Sequence, residues 1–559
     1  MSTATSTIEL TELPPTVPKS DTPTIPTPGR TLGSTPQIST TNSSLDIPST
    51  PSSNEAAIAL AQNTTPPLRT ARLILTVLQP SLVSFFASFT NGVVTVGLPV
   101  IARSIDLPRS LYLWPASVYG LASGATLLIA GAVADIVGAR NVELVGIWLL
   151  GAFTLSCGLA QTGIQLVVFR ALQGVAVALH LPCSVSLIAA AVPSGKARNV
   201  AFASLGLSQP LGFSFGLVFG GIMVDKVGWR SGFYLCGASL LVVAVVAYWG
   251  LPKVKVAEDR GERSVWGKLR SEIDWVGGIL ASGGLAILAY VLAILSADLT
   301  TIKSPATASL LAVSFILLIT FPLWMHTQEK AGRPALIRNS MWKNIPFSAT
   351  CIMMALSWGV INAIEIFSSL YFQEIQSAST LAASLYLLPN LAFAVCINLV
   401  IGWVVDRIPA RWLISGSAFI CAVSPLMMAL VDPAWPYWYL EFWAQIFAPF
   451  SGNVLFTTGL IIVSDSFPEK TQALAGAIFN AVAQFGYCIG VGVFQVVALS
   501  VMGTEGSAGG GEAFDNVDIG RTLAGYRASF WTMFAFMIVC GLVGVVGLRK
   551  AGKVGLKKE

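Results

Sequence analysis

Charge is scarce in this chain. Only 11% of its 559 residues are Asp, Glu, Lys or Arg, 54% are apolar, and the mean hydropathy is +0.72. A soluble domain carries roughly 25% charged residues and needs that polar surface to cover its core. Soluble enzymes, nucleic-acid binders and fibrous proteins are therefore excluded as classes. Histidine is nearly absent: His180 and His326 are the only two, which rules out a His-rich metal site. The eight cysteines avoid polar loops and all fall in apolar stretches, where a thiol packs as a small buried hydrophobe instead of forming a disulfide framework. A phosphate-binding loop is also missing. The Gly-rich stretch at 506–511 is not followed by Lys-Ser/Thr, so ATP-driven pumping is not expected and no cofactor or metal is called for. Aromatic residues are absent from the first 70 positions, which are dense in Ser, Thr and Pro. That composition cannot bury enough apolar surface to offset its ordering entropy, and 1–70 reads as a disordered tail.

Long apolar runs are what remains. From Leu73 onward they alternate with short polar breaks, and a bilayer-spanning helix needs about 20 such residues. Fourteen spans are expected: 75–101, 112–136, 142–161, 163–192, 199–224, 231–251, 273–295, 306–325, 346–372, 380–405, 412–431, 437–464, 472–501 and 527–548. The fold class is an all-α polytopic membrane protein. An even number of spans puts both termini on one side, and the basic residues choose it. With both termini cytosolic, inside segments hold 25 of the 33 Lys and Arg and outside loops hold seven. The segment 502–526 is then external. Trp435, Tyr437, Trp438 and Tyr439 read as an aromatic interface anchor where the twelfth span enters.

The chain repeats itself. Gly131-Ala-Val-Ala-Asp135-Ile-Val-Gly138-Ala-Arg140 closes the second span, and Gly402-Trp-Val-Val-Asp406-Arg-Ile-Pro-Ala-Arg411 closes the tenth, 271 residues later. Asn91 and Asn362 stand at the same offset. Repeated halves mark secondary transporters. The expected division is a six-helix half at 71–252, a cytosolic loop with inserted spans 7 and 8 at 253–345, a second six-helix half at 346–548 and a basic tail at 549–559. A loop that reverses within a few residues favours glycine. Its carboxylate can meet a helix N-terminus or a cation and so latch one conformation.

These decapeptides resemble the cytosolic loop signature G-x-L-A-D-R-x-G-R-K of the major facilitator superfamily. Gly131, Ala134, Asp135 and Gly138 match it, and Arg140 keeps its last basic position. Span 4 carries Arg170-Ala-Leu-Gln173-Gly174, then Ala178 and Pro182, similar to the R-x-x-Q-G…A…P signature of proton-coupled members. Span 5 carries Gly212, Gly216, Gly220 and Gly221 in the spacing of the antiporter signature G-x-x-x-G-P-x-x-G-G, with Leu217 in place of its proline. Small residues at that spacing also favour close helix packing in their own right. Asp274-Trp275-Val276-Gly277, Tyr371-Phe372-Gln373 with Leu388-Pro389, and Asn480, Gln484, Gly486 and Gly490 match the fourteen-span drug:proton antiporter branch. The tract 113–229 looks like fungal members related to aminotriazole-resistance and boron-efflux pumps. The resemblance implies two six-helix pseudo-repeats with two extra helices between them, and a cavity lined by spans 1, 4, 9 and 12.

The ionisable residues inside spans and away from their cytosolic ends, located without that rule, are Arg170 and His180 in span 4, Glu365 in span 9 and Glu441 in span 12. Polar groups facing lipid are expensive, so a shared watery cleft accounts for the set. Each has a plainer reading as well. Arg170 could snorkel to the outer interface, His180 could be a hydrogen-bonded packing residue, Glu365 could partner an Arg or a backbone group, and Glu441 could sit solvated in the aromatic belt. Thr90 stands where many relatives of this branch carry an acid, which leaves Glu365 as the expected proton carrier. The expected function is proton-coupled efflux of small organic or weakly acidic compounds by a monomer in the bilayer, with no nucleic-acid partner. Proton-coupled uptake and a non-transporting sensor on the same fold are the alternatives.

Overall fold

A computed structural model describes residues 70–107, 111–192, 196–251, 265–297, 299–333, 335–405, 407–467, 469–502, 519–549 and 552. The Ser/Thr/Pro-rich segment and Asp406 lie outside them. Among the described residues there are fourteen helices long and apolar enough to cross a bilayer. They are α1 (Thr70–Ser104), α2 (Trp114–Val137), α3 (Ala139–Leu159), α4 (Gly163–Ala191), α5 (Lys196–Lys226), α6 (Arg230–Gly250), α7 (Trp275–Ala297), α8 (Pro305–Lys330), α9 (Ile345–Leu370), α10 (Thr380–Val404), α11 (Ala410–Leu430), α12 (Glu441–Phe447 and Phe450–Ser466), α13 (Glu469–Met502) and α14 (Ile519–Gly547). Their outward surface is apolar, with Ile316, Ile319 and Leu323 of α8 each about 60% exposed. Such a surface suits lipid, not water.

Several helix boundaries differ from the sequence expectation by a few residues, and two of them have a visible cause. Helix α14 begins at Ile519, eight residues before 527. Its extra turns are held by packing: Gly525 lies against Ala498 and Met502 of α13, and the Tyr526 hydroxyl donates to Glu374 Oε2 at 2.6 Å. Arg521 and Arg527 are therefore helical, not part of a loop. Helix α12 begins at Glu441, after Pro436 and a turn, and is interrupted before Phe450 where Pro449 stands at the N-cap of its second piece. One cysteine also departs from expectation. Cys396 is exposed, whereas the other seven are buried and free.

The first six helices pack among themselves, and so do α9–α14. The seam between α1 and α5 is made by glycine. A Cβ on Gly212 would stand 2.1 Å from the Phe85 carbonyl oxygen, and one on Gly216 would stand 2.2 Å from that of Phe89. The second half repeats this device between α9 and α13, where a Cβ on Gly486 would lie 2.2 Å from the Ala355 carbonyl oxygen and one on Gly490 2.7 Å from Gly359 Cα. Backbones approach this closely only where the residue on one side carries no side chain. Gly220 and Gly221 extend the first seam toward Val93 and, across the halves, toward Leu381 and Ser384 of α10.

The inserted pair is asymmetric. Helix α7 bridges the halves: Ser282 donates to the Ala125 carbonyl of α2 at 2.9 Å, Gly278 faces Ile129 of α2, and Leu292 faces Gly492 of α13. Helix α8 packs on α7 at the periphery. The Asp274-Trp275-Val276-Gly277 turn starts α7, with Asp274 Oδ1 accepting from the Gly277 amide at 2.8 Å and from Trp324 Nε1 of α8 at 3.0 Å.

Hydrogen bonds between the halves gather at the face opposite the one bearing Thr70 and Gly547. Gln373 donates to the Val96 carbonyl at 2.9 Å, the Leu381 amide to Asp225 at 3.2 Å, and Tyr112 to Glu374 Oε1 at 2.8 Å. On the same side Tyr437 stacks on Tyr386, ring centroids 4.5 Å apart, and donates to its carbonyl at 2.7 Å. The aromatic cluster before α12 thus works partly as a tie to α10, while Trp438 and Tyr439 remain about 70% exposed.

Candidate functional site

Arg170 sits one quarter of the way along α4 and is 1% exposed. Its guanidinium donates at 2.7 Å each to the Pro115 carbonyl, Gln173 Oε1 and Asn91 Oδ1, and stands 4.6 Å from the Tyr119 ring centroid. All three bonds run inward, so the snorkelling reading is overturned. Three charge-assisted bonds and a π face are what a buried cation requires when no carboxylate bonds it. Pro115 suits its part, because its carbonyl belongs to the first turn of α2, whose start Pro can occupy. Gln173, three residues on, shares the face. Its amide donates to Thr154 at 2.9 Å and to Thr90 at 3.3 Å. Thr90 is thus a hydrogen-bonding post for Gln173. Gly174 completes the motif sterically, since a Cβ there would meet the Tyr119 carbonyl oxygen at 2.4 Å.

Glu365 stands on α9 in the other half, partly buried, and accepts from Asn390 of α10 at 3.3 Å. Tyr487 of α13 lies between the two systems. It is within electrostatic reach of both Arg170 and Glu365 and packs against Gly120 of α2. Tyr487 thus feels a cation of one half and an acid of the other.

The remaining candidates do not join this group. Asn362 donates to its own helix, at the Trp358 carbonyl, 2.8 Å away. Glu441 is 1% exposed, and its Oε1 accepts from Gln376 at 2.6 Å near the closed face. It is neither solvated in the belt nor beside Glu365. His180 pairs with Glu143 of α3, Nδ1 to Oε1 at 2.9 Å. A count restricted to acids away from the cytosolic helix ends passes over Glu143, because it lies one turn into α3. Asn390 and Tyr487 carry no formal charge and gave no signal of that kind.

The decapeptide loop is resolved into separate tasks. Gly138 has φ 98° and joins α2 to α3 in one residue, a conformation glycine adopts without strain. Arg140 donates to the Leu251 and Tyr248 carbonyls at 3.1 and 2.8 Å, satisfying the C-terminus of α6, where a cation is favourable. Gly131 faces Pro182 of α4, with its nearest contact at 3.9 Å. Asp135 is exposed and has no hydrogen bond among the described residues. In the second copy Arg411 stands 4.7 Å over the Trp412 ring.

Among the described residues, fourteen helices long and apolar enough to cross a bilayer, twelve in two six-helix halves and two inserted between them, with a buried cation and buried acids, define a secondary-transporter architecture. The chain belongs to the Major Facilitator Superfamily, whose model matches residues 81–491 and 347–558. It is 39% identical to MFS-type transporter 1 of Pyricularia oryzae, over 92% of this chain and 89% of that one. A low affinity ammonium transporter of Saccharomyces cerevisiae is 24% identical over 75% of this chain and 77% of its own. An aminotriazole resistance protein of the same yeast is 23% identical over 68% of this chain and 69% of its own. Among solved structures, a peptide transporter POT in complex with sulfate has the same fold, with a TM-score of 0.62 at 15% identity, over 88% of this chain and 98% of that one.

Proposed function

We propose that this transporter exports small organic or weakly acidic compounds in exchange for inward-moving protons, by alternating access. The observation that carries the reading is that Arg170 and Glu365, on opposite halves, both lie within electrostatic reach of Tyr487. A weak acid in its anionic form could engage the guanidinium only by competing with Asn91 and Gln173. Protonation of Glu365 would alter the field at the same place, which is the differential interaction that coupling needs. The 25-to-7 basic asymmetry places Thr70 and Gly547 on the cytosolic side. The hydrogen bonds between the halves then lie on the external side. Resistance names among the relatives support efflux. We further assign the protein to the plasma membrane, as a monomer.

The test uses the full-length protein in sealed vesicles, with accumulation of a compound panel followed with and without a protonophore. Glu365→Gln should abolish net transport driven by a pH gradient while exchange at equal pH survives, because that half-cycle releases no net proton. Full gradient dependence in the variant would move the coupling site elsewhere, and a wild type indifferent to the gradient would end the antiport reading.

A further inference from the structure

A second polar cluster lies on the terminal side of the first half, away from Arg170 and Glu365. His180 and Glu143 are both 0% exposed. The imidazole bonds Glu143 Oε1 through Nδ1 at 2.9 Å and Ser84 Oγ through Nε2 at 3.0 Å. Gln79 donates to the same Glu143 oxygen at 2.8 Å. Three helices, α1, α3 and α4, thus converge on one carboxylate.

Two features set this cluster apart from a packing contact. The first is its shortage of hydrogens. Glu143 Oε2 and Gln79 Oε1 are buried acceptors with no donor among the described residues, and buried polar atoms are seldom left so. The second is its charge. With one proton on the imidazole the pair carries −1 in an apolar interior, a costly state. With both ring nitrogens protonated it is a neutral ion pair, and the ring can donate on both sides. Among the described residues no cation bonds the pair. Asp135 of α2 adds a negative charge, and the Cys183 thiol of α4 lies within electrostatic reach of it and of Glu143. Helix α1 contributes the neutral Gln79 and Ser84. Arg140, one turn before Glu143, is turned away to the carbonyls at the end of α6, one of them that of Tyr248.

We propose that Glu143 and His180 form a proton-binding pair, a second protonatable site beside Glu365, that exchanges its proton with the cytosol. Loading adds a proton to the bare ring nitrogen while Glu143 stays ionised. Unloading returns that proton to water. The pair joins α1 and α4, the helices that also carry Asn91 and Arg170, so its charge biases the same helices that form the central site. This assignment rests on the proton-coupled reading above, but its test does not.

With only two histidines in the chain, His326→Gln leaves His180 as the single imidazole, and His326 is exposed at the end of α8. Full-length His326→Gln protein with isotope-labelled histidine, free of any tag, is followed by NMR in lipid nanodiscs from about pH 5 to about pH 9. The expected result is one titrating ring whose titration is altered by Glu143→Gln. A ring that keeps one protonation state throughout overturns the proposal, whatever transport does. Transport at varied cytosolic-side pH is the second readout. The rate ratio that the wild type shows between about pH 6 and about pH 8 should fall to near one in Glu143→Gln and in His180→Gln. If both variants keep the wild-type profile, the pair is structural and the proposal fails. Should Glu143→Gln not fold, His180→Gln and the NMR titration decide. A wild type that ignores the proton gradient while His180 titrates would sink the antiport reading and leave the pair standing.

Discussion

The two halves share a skeleton and differ in chemistry. Their helix seams use the same device, glycine against backbone, at Gly212 and Gly216 in one half and Gly486 and Gly490 in the other. Their far helix ends are capped alike: Arg230 donates to the Ala160 carbonyl at 3.0 Å and Arg527 to that of Val431 at 2.7 Å. Ala160 and Val431 are 271 residues apart, the offset of the loop motifs. At that same offset the cation Arg170 becomes the acid Glu441. In the first half a guanidinium is held by three bonds to neutral partners. In the second, Glu365 and Glu441 each accept one side-chain bond among those described. Packing is repeated because any six-helix half must bring its backbones together. Charge is not repeated, and under the proposed exchange the unlike walls are what a substrate or proton between the halves requires.

Glu365→Gln, which removes the acid wall, should produce the largest functional loss: gradient-driven transport falls to background at normal protein levels. Arg170→Met attacks the other wall and should act on the fold as well. It leaves Asn91, Gln173 and the Pro115 carbonyl without their donor, a loss of about 3 kcal/mol or more, read as a lowered thermal midpoint in detergent together with lost transport. If Arg170→Met proves as stable as wild type, the first half is not the anchored one and the contrast fails. Gly216→Ala and Gly486→Ala test the shared skeleton. Each new methyl meets a carbonyl oxygen, so each should cost about 1–3 kcal/mol. Unequal effects would break the symmetry. Arg140→Ala should cost about 1 kcal/mol through the lost cap on α6, and Arg411→Ala about half that, since it stands over an aromatic ring. Deleting residues 2–65 should change transport least, because they lack aromatic residues and any core-forming pattern; a deletion that reaches the membrane yet transports nothing would contradict this.

Much of the architecture was legible in the sequence because the bilayer imposes a coarse rule. Twenty apolar residues in a row must be a helix, and fourteen such runs announce themselves. The glycine spacing of α5 was legible for a similar reason, since small residues four apart form a stripe on one face. Hydrogen-bond partners were not. Arg170 could equally have snorkelled by its position in α4, and only the turning of α1 and α2 toward it supplies Asn91 and the Pro115 carbonyl. Glu441 read as interfacial from its neighbours Trp438 and Tyr439, yet the fold buries it beside Gln376. Glu143 was passed over because closeness to a helix end in sequence says nothing of the side on which the carboxylate points.

By itself, the sequence determined the class of solvent, the number of crossings, the repeat and the side that bears the basic residues, all of which follow from composition and spacing along one chain. The tertiary structure alone decided which polar side chains meet. Pairs such as Glu143 with His180, Asn91 with Arg170 and Glu365 with Asn390 are 37, 79 and 25 residues apart. Each depends on how two helices rotate about their own axes, and that rotation is set by packing over the whole bundle.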